Sequence, residues 1–206
     1  MEKTKSIIIS ILLAILLCFI AVDLAVWDNA WYEQQFEKNK VYATINASPE
    51  IINAQAKNIL AFNQGKEALN PLLLNTKEQQ HLADVKKLAI RGQQLMFILS
   101  LVVFMLIVRS SNKKKIVVQT GIIMIIGLGI VAIVPFEQLF FKMHQLLFTN
   151  NLWLLNPATD NLILMYPGPL FEALARKIAS IVFIQAIGCV AIGLYKSSKK
   201  ERPWQK

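Results

Sequence analysis

The stretch SIIISILLAILLCFIAVDLAVW, Ser6 to Trp27, runs for 22 residues with Asp23 as its one charge. At 1.5 Å per residue it is long enough to cross a hydrocarbon core of about 30 Å. A cleaved signal peptide would have a shorter apolar stretch and a small-x-small cleavage site, which Ala21-Val22-Asp23-Leu24-Ala25 does not supply. A lipoprotein cleavage site before Cys18 would want a small residue where Leu17 stands. The stretch therefore reads as an uncleaved anchor.

Three further apolar runs lie downstream. Leu95 to Val108 has 14 residues, so it spans only if its helix begins earlier, with Arg91, Gln93 and Gln94 at the interface. Ile116 to Val134 has 19, carries Gly121, Gly127 and Gly129 as points of close helix approach, and stops at Pro135; Ile178 to Tyr195 has 18. In a chain of 206 residues that is 55% hydrophobic and 17% charged, these runs exclude a soluble globular enzyme. They predict an all-α membrane protein with four transmembrane helices.

Lys and Arg orient it. Lys3 and Lys5, then Arg109, Lys113, Lys114 and Lys115, then Lys196, Lys199, Lys200, Arg202 and Lys206 fall in three segments whose acidic residues are Glu2 and Glu201 alone. These segments hold the entire formal charge of +9 and belong on the cytoplasmic side. The basic excess is topogenic and fits anionic inner-leaflet lipid; it calls for no nucleic-acid partner. The expected organisation is a cytoplasmic tail at 1–5, spans at 6–27, 93–109, 116–135 and 178–195, a cytoplasmic loop at 110–115 and a cytoplasmic tail at 196–206. Between them lie an extracellular domain at 28–92 and an extracellular or interfacial segment at 136–177.

In the first outward segment, Ser48-Pro49-Glu50 starts a helix that Gln64-Gly65 ends. Asn75 or Thr76 can cap a second helix, from Lys77 through Leu88, that can run on into span two. On it His81 stands one turn after Glu78 and one turn before Asp84. In the second segment, Phe136 to Asn150 is amphipathic, with Glu137, Phe141, His144 and Phe148 on one face, followed by Trp153, Tyr166 and three prolines. Such a stretch suits the outer headgroup layer.

His81 and His144 are the only histidines, and the topology puts both on the same side of the membrane. Taken singly, each reads as a solvated or hydrogen-bonded residue on an amphipathic helix. No third ligand stands out beyond Asp84, Glu137 or Asp160, so no metal site is assigned. Cys18 and Cys189 lie at hydrocarbon depth, where an apolar setting keeps a thiol inert. No nucleophile-elbow serine occurs, and Asp23 reads either as a snorkelled or helix-paired carboxylate or as an inward-facing functional acid.

Two stretches carry a resemblance: Glu78-Gln79-Gln80-His81-Leu82-Ala83-Asp84-Val85 before span two, and Phe140-Phe141-Lys142-Met143-His144-Gln145-Leu146-Leu147-Phe148 with Trp153, Asp160-Asn161-Leu162-Ile163 and Tyr166-Pro167 between spans three and four. With the order of the spans, they make the chain similar to the lipoprotein intramolecular transacylases, Lit, over nearly its full length. The resemblance implies a substrate: a bacterial lipoprotein whose N-terminal cysteine carries an S-diacylglyceryl group and a free α-amine, in the cytoplasmic membrane of low-GC Gram-positive bacteria. It implies transfer of the sn-2 acyl chain onto that amine, with His81 and His144 as the essential histidines. Tethered aminolysis needs alignment, a base and an acid, but no cofactor and no covalent intermediate. Asp84 and Glu137 are candidate orienting carboxylates, and Arg91, Trp153, Asp160, Tyr166 and Arg176 are candidates for binding polar parts of the substrate. Competing readings are a phospholipid esterase or intermolecular acyltransferase, and a non-enzymatic assembly factor or sensor.

Overall fold

The computed structural model describes residues 2–195, all-helical in regular structure. In chain order the helices are α1 (Glu2–Val26), α2 (Asn29–Lys38), α3 (Val41–Thr44), α4 (Pro49–Asn63), α5 (Thr76–Arg109), α6 (Lys113–Ala132), α7 (Phe136–Leu147), α8 (Asn161–Met165) and α9 (Gly168–Leu194). Four of them, α1, α5, α6 and α9, are long and apolar enough to cross a membrane. The expected tail at 196–206 lies outside the described residues.

Lipid and helix packing divide the surface of the bundle. Apolar side chains such as Ile8, Phe104, Ile126 and Ile184 point outward, where hydrocarbon solvates them as well as protein would. The inner contacts therefore depend on small residues and polar clasps. A Cβ on Gly121 of α6 would stand 2.6 Å from the Ala186 carbonyl oxygen of α9, and one on Gly193 would run into Val118. Of the three glycines expected to permit close approach, Gly121 alone does so; Gly127 and Gly129 face open space, and Gly193 supplies the second contact. Between α1 and α6, Ser6 donates to Gln119 at 2.8 Å, the buried Ser10 to the Ile116 carbonyl at 3.1 Å, and Thr120 to the Ser10 carbonyl at 3.2 Å.

Above the bundle sits a second core, built by α2, α3, α4, α8 and the first turns of α5 and α9 around Phe36, Ile52, Leu82, Met165 and Leu170. Ser48 takes the N-cap position of α4 with Pro49 behind it, though its hydroxyl caps no backbone N–H; Gln64 closes the helix and Gly65 turns the chain at φ 75°. The cap of α5 is Asn75: its side chain accepts from the Glu78 N–H while the Glu78 carboxylate accepts from its own N–H, a complete capping box. From there α5 runs unbroken for 34 residues, through Gly92, into the bundle. This helix sets the height and facing of His81. Asp23 accepts from the Trp27 indole at 2.8 Å, a pairing within α1.

Candidate active site

His81 lies on the second turn of α5 and is 7% exposed; His144 lies on the last turn of α7 and is half-buried. The two imidazoles meet with ring centroids 6.5 Å apart. Aromatic rings fill the space around them. Phe148 stands 5.1 Å from the His81 ring and 5.6 Å from the His144 ring, while Phe140 at 4.2 Å and Trp153 at 5.1 Å complete the surround of His144.

This setting favours the neutral form of both imidazoles. Burial, reinforced by the neighbouring His144, pulls His81 down to about 4, against a smaller upward pull from Asp84. Burial also holds His144 below its ordinary value, partly opposed by its hydrogen bond to the Phe140 carbonyl. That bond, 2.8 Å from Nδ1, has a further consequence: a carbonyl only accepts, so Nδ1 carries the proton and Nε2 keeps its lone pair. Nδ1 of His81 is buried without a protein partner.

Carboxylates flank His81 one turn to either side. Glu78, 1% exposed, accepts the N–H of Asn75 at 2.6 Å and that of Leu162 at the start of α8. Asp84 accepts from Asn150 at 2.9 Å and from Lys87 at 3.0 Å. Those bonds hold the Asp84 carboxyl below the usual range, and neither oxygen is bonded to an imidazole. Asp160 is buried and receives the Asn156 N–H at 2.8 Å, Asn75 at 2.9 Å, Thr159 at 3.0 Å and Lys77 at 3.4 Å. Burial works against its charge, yet these donors prevail and hold it at about 2. Lys77 also caps the Leu154 carbonyl at 2.6 Å, so Asn75, Lys77, Glu78 and Asp160 together clamp the segment after Trp153 onto the head of α5.

Of the residues expected from sequence, the structure brings His81, His144 and Trp153 together, with Asp84 at the edge. Asp160 stands one layer behind as part of the clamp. Glu137 is exposed and makes no hydrogen bond among the described residues; α7 docks Phe140 against Phe171, with Phe136 beside Phe140, and packs Phe141 on Trp153. Tyr166 belongs to the outer core, 5.7 Å from Tyr32 and 5.8 Å from Phe36, where burial drives its hydroxyl pKa up. Arg91 is exposed, and Arg176 pairs with Glu172 on its own helix at 2.7 Å. Sequence reasoning gave no site role to Glu78 or Asn150. The Asn75-x-x-Glu78 capping-box pattern was the available signal for the first; the second had none, since its partner lies 66 residues away.

The family model described as lipoprotein intramolecular transacylase Lit matches residues 7–171. The solved structure of the membrane integral lipoprotein intramolecular transacylase Lit from Bacillus cereus superposes with a TM-score of 0.83 at 21% identity, covering 93% of this chain and 94% of that one. Structures of that protein with a histidine replaced by arginine or by alanine superpose with a TM-score of 0.77 at 20% identity, covering 94% of this chain and 90% and 92% of theirs. Among curated proteins nothing matches. The fold and the family match define a multi-pass α-helical membrane acyltransferase. The chain belongs to the lipoprotein intramolecular transacylase family, Lit.

Proposed function

We propose that the chain moves the sn-2 acyl group of an S-diacylglyceryl cysteine onto the α-amine of the same N-terminal cysteine, leaving an N-acyl, S-monoacylglyceryl (lyso) lipoprotein. The observation that carries this reading is the meeting of the only two histidines, 63 positions apart in the chain, in one aromatic cluster at 6.5 Å. Two neutral imidazoles are suited to aminolysis. The amine attacks the ester carbonyl and forms the C–N bond; Nε2 of His144, whose lone pair the Phe140 hydrogen bond leaves free, takes the amine proton. An N–H of neutral His81 donates to the oxyanion of the tetrahedral intermediate. Collapse breaks the C–O bond, and the proton on His144 passes to the departing glyceryl oxygen. Ester and amine share one molecule, so alignment supplies much of the rate, up to about 7–11 kcal/mol in well-oriented systems. No cofactor enters the scheme.

In this reading both termini are cytoplasmic, residues 28–92 and 136–177 face outward, and the site works at the outer leaflet of the bacterial cytoplasmic membrane. The basic residues of the tails and of the 110–115 loop support the orientation. An interfacial α7 is supported by its outward Phe141, Met143 and Leu146, the last 85% exposed. In the bundle α5 packs chiefly on α1, and its free flank of Leu95, Ile98 and Leu101 below His81 would take the acyl chains.

The test is mass spectrometry of the lipoprotein N-terminal peptide from cells making only diacylglyceryl lipoprotein, with and without this protein and with His144→Ala. Unchanged total mass with one acyl chain on nitrogen, lost in the variant, is the expected result. A gain of one acyl chain would mean an external donor, and no change would overturn an enzymatic reading.

A further inference from the structure

The helix that carries His144 is held in an unusual way. Among the described residues, no side chain of α7 makes a hydrogen bond or ion pair to another element; the one polar bond, from His144, goes to its own helix. What seats α7 is ring packing: Phe140 on Phe171 at 4.9 Å and Phe141 on Trp153 at 5.2 Å. Ring contacts prefer certain tilts but hold no donor and acceptor in line, so they fix the axial position and roll of a helix less sharply than a hydrogen bond does. Aminolysis tolerates neither motion, because base and oxyanion donor must reach opposite ends of one tetrahedral centre.

The directional contact comes three residues after α7 ends. The Asn150 amide donates to Asp84 at 2.9 Å, and its carbonyl oxygen accepts the Leu152 N–H at 3.1 Å, shaping the turn that delivers Trp153 onto the face of His144. Asp84 stands one turn below His81 on α5. At the other end of the same segment, Glu78, one turn above His81, takes the Leu162 N–H. The segment 150–162 is thus pinned to α5 on both sides of His81, by Lys77 and Glu78 above it and by Asp84 below, and the lower pin adjoins α7.

We propose that Asn150 is a positioning residue: through its bond to Asp84 and its hold on the turn before Trp153, it sets the place of the His144 base relative to His81. This deepens the two-histidine reading and rests on it. Asp84 then serves the reaction by receiving Asn150, and the orientation of the His81 ring is left to packing.

The experiment uses the full chain in lipid with a synthetic S-diacylglyceryl lipopeptide, following kcat and KM for the wild type, Asn150→Ala, the exchange Asp84→Asn/Asn150→Asp, and His144→Ala. Small displacements of a reacting group can cost up to about 100-fold; loss of one exposed bond here is expected to lower kcat about tenfold. KM and melting temperature stay unchanged in Asn150→Ala, since the residue is exposed and its loss opens no cavity. The exchange variant puts the donor on α5 and the acceptor on the turn, where it still takes the Leu152 N–H, and recovers most of kcat. Wild-type kcat in Asn150→Ala, or failure of the exchange to recover it, overturns the proposal. If His144→Ala turns over normally, the two-histidine reading falls with it; if His144→Ala is inactive while Asn150→Ala is intact, only the positioning role falls.

Discussion

Two pairs of helices in this molecule are assembled by opposite rules. α6 and α9 approach so closely that a methyl group at Gly121 would meet a carbonyl oxygen at 2.6 Å, and α1 is stitched to α6 by serine and threonine hydroxyls. α5 and α7, which bring the histidines together, share no such fit: α7 rests on rings, and polar bonds fasten only the segment that follows it. The first pair forms a frame with one geometry. The second is a seat held by ring packing, with a hydrogen bond only beyond the end of α7. Stability and chemistry are thus separable in this chain, and substitutions should reveal which belongs where.

The largest effect is expected at the seat. His81→Ala should lower turnover by about 100-fold or more, the scale of losing one oxyanion donor, with protein levels in the membrane unchanged. Measured activity near wild type would break the comparison at its functional end. Next comes the frame. Gly121→Leu forces α6 from α9, and overpacking of this kind costs about 1–3 kcal/mol. Its melting temperature in detergent should fall by several degrees while turnover per folded molecule holds; the reverse pattern would make the frame part of the chemistry.

A smaller and more diagnostic effect concerns pH. A base works when neutral, so activity rises as pH climbs through the folded pKa of His144 and then levels. Burial holds both imidazoles below 6.5, so that limb lies below 6.5 in the wild type. Phe148→Ala admits water to both rings and should move the limb upward toward 6.5, against a limb from the substrate amine that is common to both proteins. A pH–kcat profile whose limb stays put or moves down would show that Phe148 does not desolvate the pair. The smallest effect is expected at Arg176→Ala, because its pairing with Glu172 is exposed and intrahelical, worth at most about 0.5 kcal/mol. A marked rise in KM for this variant would bring Arg176 into substrate binding after all.

Much of this arrangement was legible in advance where the cause is local. The four spans follow from apolar composition, α4 from Pro49 and the Gln64-Gly65 stop, and the start of α5 from Asn75 or Thr76 as the cap, between which the capping box with Glu78 decides for Asn75. The short helices α2, α3 and α8 were not anticipated. Asp28 does cap α2 through the Trp31 N–H, but helices of four to ten residues are not stable alone, and these form because Tyr32, Phe36, Val41 and Leu162 are buried in a shared core. The face of α7 was legible in part: Phe141 and His144 both pack on Trp153 and Phe148 lies beside His144, whereas the docking of Phe140 on Phe171 of α9 has no signal in the helical period.

The sequence by itself determined that this is a helical membrane protein with four helices apolar and long enough to span, and singled out two histidines, because transfer into lipid depends on composition and length, and rarity of a titratable residue is visible in any sequence. Only the tertiary structure decided that those histidines meet inside an aromatic cluster. It also decided that Asp84 bonds Asn150, that Glu78 bonds Leu162, and that Glu137 points away. Hydrogen bonds between residues 66 and 84 positions apart depend on how helices come to rest, and no local pattern encodes that.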